Sequence, residues 1–373
     1  MTTAQVEFTP EELLSTHEYA EPLIAGGVRC HGGFTHDGTY VSPRTKHRVP
    51  AIEAWQAKHR TESGADLLGL PIDTWPASYP NVAQAKLLLK NGVRQPTIST
   101  LTRIGTVEGF GGMIRYSVVP DLEATFVEDT RGTATAHLER GLYEAHARDE
   151  AGYDEGDVPE GGHKQMWFAA RDVAFENPVT EDETMKMLER MGIPMPGKGG
   201  SIDLAALRAQ AMANRLLPAE VPYDLEALLE RMIRLLFIEI SAFHIFAWAE
   251  ELLADHSLVA GDGEAARLVS YIRADETPHV EYLRTVLSEM RARTVIGEGG
   301  TKFAGADVVD PIWDRALVDS LGPRRTDGLN LEVKEVARAV AGRPDAADLL
   351  EQFHTLGDIR PSADGTWTQN RPI

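Results

Sequence analysis

The chain has 373 residues, 43% of them hydrophobic and 25% charged, values that are ordinary for globular proteins. Its formal net charge of −20 disfavours binding to nucleic acid or to an anionic membrane surface. Cys30 is the single cysteine, which excludes an intrachain disulfide and a cysteine-based metal site. No signal peptide is predicted at the N-terminus, and no apolar run reaches the roughly 18–20 residues of a membrane span. A reducing, cytoplasmic location is therefore expected.

The two ends of the chain carry the weaker structural signals. Residues 1–115 are rich in glycine and proline turn formers, which predicts an irregular N-terminal arm with short helices at Ile52–His59 and Val82–Lys90. Residues 296–373 are predicted to form a C-terminal extension that ends in an extended tail. Helices predicted in this extension are Asp310–Leu321, Leu331–Ala341 and Ala346–Leu356.

Residues 116–295 carry the strongest helical periodicity. Helices are predicted at Thr133–Asp149, Gly162–Glu176, Asp203–Leu216, Asp224–Ala254 and Glu264–Ala292, with a loop over 150–159 and a long connection over 190–202. Asp224–Ala254 is apolar nearly all round, so we expect it to be a central, buried helix. The pattern predicts an all-α fold, a four-helix bundle with additional helices and irregular N- and C-terminal arms.

Glu239 lies in the middle of this apolar helix. An ionised carboxylate there costs several kcal/mol of desolvation unless it is paired or coordinates a metal ion. A buried arginine partner or a protonated state is the alternative, and Arg231 and Arg234 are the nearest arginines in sequence. His244 follows five residues later and points about 140° away, so a hydrogen-bonded core histidine is expected there.

Two Glu-x-x-His steps flank this glutamate, Glu160 to His163 and Glu276 to His279. Residues i and i+3 share a face of a helix, so the glutamate and the histidine of each motif can bind one metal ion. A single copy is weak evidence, since many solvated helix faces carry it. Pro278 lies within the second step and predicts either a kink that aims the ligands or a helix restart with Asp275 or Thr277 as N-cap.

The first predicted bundle helix offers several further ligands. Glu139 shares a face with His146, whereas Glu144 lies on the more polar side. An antiparallel pairing with the next helix, however, places His146 rather than Glu139 level with Glu160. Which of these four residues complete the site stays open. The candidate metal ligands are Glu139, His146, Glu160, His163, Glu239, Glu276 and His279.

This set, over residues 130–293, resembles the ferritin-like non-haem di-iron carboxylate proteins, in the family's order of ligands. The stretch Arg273–His279 looks most like the di-iron arylamine N-oxygenases. The seven-residue spacing of Glu139 and His146 is similar to the haem-oxygenase-like di-iron oxidases. Two departures are visible: the interval from Glu139 to Glu160 is short for the family, and Ile272 stands where some N-oxygenases carry an extra histidine.

The resemblance implies two iron ions, with manganese as the other suitable metal. It also implies an enzyme that activates O2 to hydroxylate, N-oxygenate or oxidatively cleave a small organic substrate, with an electron donor. No nucleic-acid or membrane partner is expected, and a homodimer is compatible with the pattern. The alternatives are a ferritin-like metal-storage or peroxide-detoxifying protein and a metal-free helical interaction protein.

Overall fold

The computed structural model describes residues 8–153, 159–176, 209, 212–363 and 365–369. The chain is 62% helix and 9% strand, which confirms the mainly α class. The α-helices are α1 (Pro10–Leu14), α2 (Thr45–Ser63), α3 (Val82–Lys90), α4 (Gln95–Gly111), α5 (Leu122–Thr125), α6 (Tyr143–Ala151), α7 (His163–Phe175), α8 (Tyr223–Leu253), α9 (Glu264–Asp275), α10 (Thr277–Arg291), α11 (Gly305–Leu321), α12 (Pro323–Val340) and α13 (Ala346–Gly357).

The strands form three small antiparallel units. They are β1 (Glu21–Ala25), β2 (Val28–Phe34) and β3 (Tyr40–Val41) in one sheet, β4 (Thr294–Ile296) with β5 (Lys302–Ala304), and β6 (Ile359–Pro361) with β7 (Trp367–Gln369). The extended tail predicted from Pro361 falls in the last hairpin. None of these strands replaces a helix of the core.

The central helix is α8, which packs against α9, α10 and α11. Leu236, Phe237 and Ile240 are buried around it, as the all-round apolar pattern predicts. By length and composition α8 could cross a membrane, which differs from the sequence expectation. However, 56% of its most apolar window is buried inside the protein, as in a core helix of a globular fold.

The N-terminal region is more regular than predicted. Helix α2 spans 19 residues and contains the predicted short helix Ile52–His59, and α3 matches the predicted Val82–Lys90, whereas no helix is predicted for α4, which spans 17 residues. Leu13 and Trp55 from this region join the same core cluster as Leu228 and Leu283. The expectation of an irregular arm is therefore wrong for the length of α2 and for α4, because contacts with the rest of the protein outweigh the glycine and β-branched content of α4. The three-part domain division stays a prediction.

Two predicted helices of the central region are interrupted. The segment predicted as Thr133–Asp149 is helical in pieces, since Arg140 and Gly141 have non-helical dihedral angles before α6 begins at Tyr143. The segment predicted as Glu264–Ala292 divides at Glu276, and Pro278 lies in the first turn of the second piece. The predicted restart is confirmed, but the cap position is Glu276 rather than Asp275 or Thr277.

Helices α7, α8 and α13 agree with prediction to within one residue at each end, whereas α11 begins five residues and α12 eight residues before the predicted start. Helix α7 matches Gly162–Glu176 and α8 matches Asp224–Ala254, and the three C-terminal helices are present. The predicted loop over 150–159 is wrong at its start, because Glu150 and Ala151 belong to α6. The predicted connection over 190–202 and most of the predicted helix Asp203–Leu216 lie outside the described residues.

Candidate metal centre

Ionisable side chains from α4, α6, α7, α8 and α10, and from the α9–α10 junction, converge in the interior. Seven of them, each 8% exposed or less, form what we call the seven-residue centre. It comprises Glu108, His146, Glu150, His163, Glu239, Glu276 and His279. Buried charged groups at this density require partners or bound ions.

The centre consists of two overlapping groups of potential ligand atoms, and the atoms within each group lie within 4.8 Å of one another. The groups are His146, Glu150, Glu239 and His279, and Glu108, Glu150, His163 and Glu276. Glu150 belongs to both, which is the position of a carboxylate that bridges two cations. Glu276 lies 3.1 Å from His163 Nδ1 and 2.8 Å from His279 Nδ1, so it can form a second bridge.

Each histidine of the centre has an outer nitrogen that faces a polar side chain, and for His146 and His279 the contact is a hydrogen bond. The outer contacts are His146 Nδ1 to Tyr282 Oη at 3.1 Å, His279 Nε2 to Asp149 Oδ2 at 3.0 Å, and His163 Nε2 to Asp275 Oδ2 at 3.5 Å. The opposite nitrogen of every ring faces the glutamates of the centre. Metal-bound histidines in proteins are held in this way, with one nitrogen on the ion and the other on an outer partner.

The outer partners are themselves fixed. Arg44 and Arg48 of the N-terminal region contact Asp149 at 2.8 and 2.7 Å. Burial would raise the pKa of Asp149, but these two guanidinium groups outweigh it and hold that pKa well below its usual range. Tyr40 donates a 2.8 Å hydrogen bond to Asp275. The imidazole rings are therefore held by groups that stay charged or hydrogen-bonded.

Several atoms that point into the centre have no hydrogen-bond partner among the described residues. They are His146 Nε2, His163 Nδ1, Glu108 Oε2 and Glu276 Oε1. A buried polar atom without a partner costs about 1–3 kcal/mol, and such atoms are rare in native proteins. All four belong to the two groups of potential ligands. Metal ions at these positions would satisfy them together, so the residues fit a two-metal site.

The charge of the centre also fits two divalent cations. Four glutamates supply four negative charges, and two divalent ions would balance them. Protons can balance part of this charge: burial and the neighbouring glutamates raise the pKa of Glu108 and Glu239 well above the usual range. Burial lowers the pKa of His163 and His279, but the glutamates outweigh it and raise both. Carboxylate and imidazole donors in this ratio suit iron or manganese.

The glycines at the end of α4 allow the helix to approach the centre closely. A Cβ atom on Gly111 would lie 2.5 Å from Glu150 Cγ, and one on Gly112 would lie 2.5 Å from the Ala151 side chain. Neither distance is sterically possible without a shift. Glycine at these positions therefore lets α4 bring Glu108 against the C-terminal turn of α6.

The position of His163 depends on strand β2. The N–H of His31 donates to the carbonyl of Gly161 at 3.0 Å, and the N–H of Gly161 donates to the carbonyl of Arg29 at 2.8 Å. These bonds dock the segment before α7 on the sheet and place His163 at the first position of the helix. His31 also lies beside it, with ring centroids 5.5 Å apart.

The structure brings together five of the seven predicted ligands, namely His146, His163, Glu239, Glu276 and His279. Glu139 is exposed, because the backbone interruption at Arg140 turns it away from the face of His146. Glu160 lies outside the centre and contacts Arg29 at 3.5 Å. These two placements correct the sequence prediction.

The other residues weighed in the sequence also have defined contacts. Glu144 does not join the centre, since it pairs with Arg148 at 2.6 Å. His244 lies 3.1 Å from the carbonyl oxygen of Ile72, which confirms the expected hydrogen-bonded histidine. Glu239 is 5% exposed, and its nearest ion-pair contact among the described residues is His146 rather than an arginine.

Sequence reasoning missed Glu108 and Glu150. The turn-like residues that follow Glu150 predict a loop there, although its i,i+4 spacing from His146 would place both residues on one helix face. Glu108 lies in a glycine-rich segment with low helix propensity, where the local signal for a helix is weak. Only the packing of α4 against α6 and α7 makes it a candidate ligand.

The chain matches no known protein family, no curated protein and no solved structure. The resemblance to the ferritin-like di-iron proteins therefore stays an expectation. The geometry and chemistry of the seven-residue centre carry the functional argument.

Proposed function

We propose that this chain is a non-haem di-iron oxidoreductase that uses O2 to oxidise a small organic substrate. The convergence of four glutamates and three histidines carries this proposal, together with the four inner atoms that lack hydrogen-bond partners and the outer hydrogen bonds of His146 and His279. The helices that supply the ligands would correspond to a ferritin-like bundle. Of the two Glu-x-x-His pairs typical of such a bundle, the centre contains Glu276 and His279, whereas Glu160 of the other pair lies outside it.

The roles of the residues follow from their positions. His146, Glu239 and His279 would hold one ion, and Glu108 and His163 would hold the other. Glu150 and Glu276 would lie between the two. Two bound iron ions would supply the electrons and the Lewis acidity that O2 reduction requires.

The surroundings of the centre suit a reaction that must exclude water. The side chains of all three histidines are 0% exposed. One helical turn beyond His163, Trp167 packs on Phe246 with ring centroids 5.0 Å apart. A dry, apolar surrounding limits side reactions of the oxidant with solvent.

A metal-free interaction protein is the weaker alternative. In such a protein, protons on Glu108 and Glu239 would have to balance the buried carboxylates, together with the positive charges of His163 and His279. The orphaned polar atoms of the centre argue against this alternative. A storage or peroxide-detoxifying role would use the same ligands, so oxidation of an organic substrate separates it from the proposed enzyme.

Metal analysis tests the proposal directly. Chelator-treated protein is supplied anaerobically with Fe(II), and we expect two iron ions per chain and O2 uptake on exposure to air. Glu239→Gln should lose iron binding with little change in helix content by circular dichroism. His244→Gln on the same helix, outside the centre, is the matched control. Fewer than one iron per chain in the wild type, or full loading of Glu239→Gln, would contradict the proposal.

A further inference from the structure

A cleft of about 570 Å³ opens between the end of α4 and the first half of α8. Each of the two helices packs mainly against other helices, α4 against α6 and α7, and α8 against α9, α10 and α11. The cleft therefore lies where α4 and α8 are not closely packed against each other. Its volume is within the usual range for small-molecule sites.

This cleft borders the seven-residue centre. Gly111 lines it, and the Cα of Gly111 is so close to Glu150 that a Cβ atom would lie 2.5 Å from Glu150 Cγ. Ile238 also lines the cleft and directly precedes Glu239. The lining of the cleft includes none of the seven residues, so among the described residues the cleft meets the centre through Gly111, which packs on Glu150.

The walls of the cleft are apolar and accessible. Phe110, Met113 and Ile238 are 37%, 62% and 44% exposed, although all three are large hydrophobic side chains. A group of exposed apolar side chains beside a concave surface is typical of a binding site. The body of the ligand that fits this surface is therefore apolar.

Arginines supply the only basic side chains among the described lining residues. Arg234 and Arg324 both contact Asp319, at 2.8 and 2.7 Å, so a single carboxylate balances the charge of two guanidinium groups. Arg231 is exposed and has no ion pair among the described residues. The remaining charged lining residue, Glu230, is paired with Arg315. A local excess of positive charge in a chain of net charge −20 points to an anionic ligand group.

We infer that this cleft binds the substrate of the centre and that the substrate is a small organic acid with an apolar body. The carboxylate contacts Arg231 and Arg324, and the apolar body extends along Ile238 toward the ligands. Arg231 and Glu239 are eight residues apart on α8, which is about 12 Å at 1.5 Å per residue. A body of that length would bring its far end level with Glu239. The reaction rests on the proposed function, whereas the binding does not.

Calorimetric titration of the iron-loaded protein tests this inference with octanoate as the probe. Octanamide has the same body without the charge, and acetate has the charge without the body. We expect octanoate to bind more tightly than either. Arg231→Gln should weaken octanoate binding about fivefold, as expected for the loss of one accessible ion pair. Adding Arg324→Gln should weaken it further. Arg94→Gln removes an exposed arginine at the opposite end of α4 and should leave binding unchanged.

The inference is overturned if octanamide or acetate binds as tightly as octanoate, or if Arg94→Gln weakens binding as much as Arg231→Gln. It is also overturned if Ile238→Ser changes the oligomeric state by sedimentation while octanoate binding is unchanged, since the cleft would then be a contact between copies of the chain. Iron content is measured on the same samples. If the iron-loaded protein binds octanoate no more tightly than octanamide, only the assignment of the cleft is wrong. If the protein does not bind iron, the proposed function is wrong.

Discussion

The two halves of the seven-residue centre are built in different ways. The back half consists of Glu239, Glu276 and His279 on α8 and the α9–α10 segment, where helical periodicity is strong. The front half, on α4, α6 and α7, comprises Glu108, His146, Glu150 and His163. Its helices are shorter or glycine-rich, and a backbone interruption precedes α6. All three ligands of the back half could be predicted locally, whereas Glu108 and Glu150 of the front half depend on contacts between distant segments.

The halves are also joined through their outer partners. Asp149 of the front half contacts His279 of the back half at 3.0 Å, and Tyr282 of the back half contacts His146 of the front half at 3.1 Å. Each half therefore fixes a histidine of the other. The following experiments separate the contribution of the front half from that of the back half.

The largest effect is expected for Glu150→Ala, because Glu150 belongs to both groups of ligand atoms. Loss of a shared ligand should abolish binding of both iron ions, measured as iron per chain after anaerobic loading. Glu139→Ala is the control, since Glu139 is the exposed residue that the sequence alone suggests as a ligand. If Glu139→Ala loses iron and Glu150→Ala keeps it, the front half is assigned incorrectly.

A smaller effect is expected for Gly111→Ala. The added Cβ would lie 2.5 Å from Glu150 Cγ, so either α4 or the Glu150 side chain must move. Displacement of a ligand by this amount should lower iron affinity by about 10–100-fold, as for disturbed supporting residues in other metal sites. Competition with a chromophoric chelator measures it.

Gly109→Ala is the matched control for that substitution. Its Cβ would meet the Lys164 side chain, at 2.8 Å from Cδ, and that flexible chain can move aside. Both variants place alanine in the same helix, so propensity effects are equal. Equal affinities for iron in the two variants would show that close approach of α4 is not what positions Glu150.

The smallest effect is expected for Tyr282→Phe, which removes the outer hydrogen bond to His146 Nδ1. We expect a loss of about tenfold in iron affinity, at the lower end of the range for outer partners. Tyr143→Phe is the control: this ring lies 6.4 Å from Tyr282, and its hydroxyl has no hydrogen-bond partner among the described residues. A larger loss in Tyr143→Phe than in Tyr282→Phe would show that the two halves are not joined through His146.

The sequence by itself determined the mainly α class, the buried central helix and the back half of the centre. Glu239 could be identified because a carboxylate within an apolar helix needs compensation, whatever the rest of the chain does. The local spacing also predicts His146 and His163 as ligands, although their expected partners Glu139 and Glu160 lie outside the centre. These inferences depend on periodicity and on the cost of burying charge, and both are local properties.

Only the tertiary structure decided the remainder. It placed Glu108 and Glu150 in the centre and removed Glu139 and Glu160 from it, because the interruption at Arg140 and the close approach of α4 depend on contacts between segments far apart in sequence. The outer partners of the histidines could not be predicted for the same reason. Asp149, for example, is compensated by Arg44 and Arg48, which are about a hundred residues away and reach it only after α2 has packed against the core.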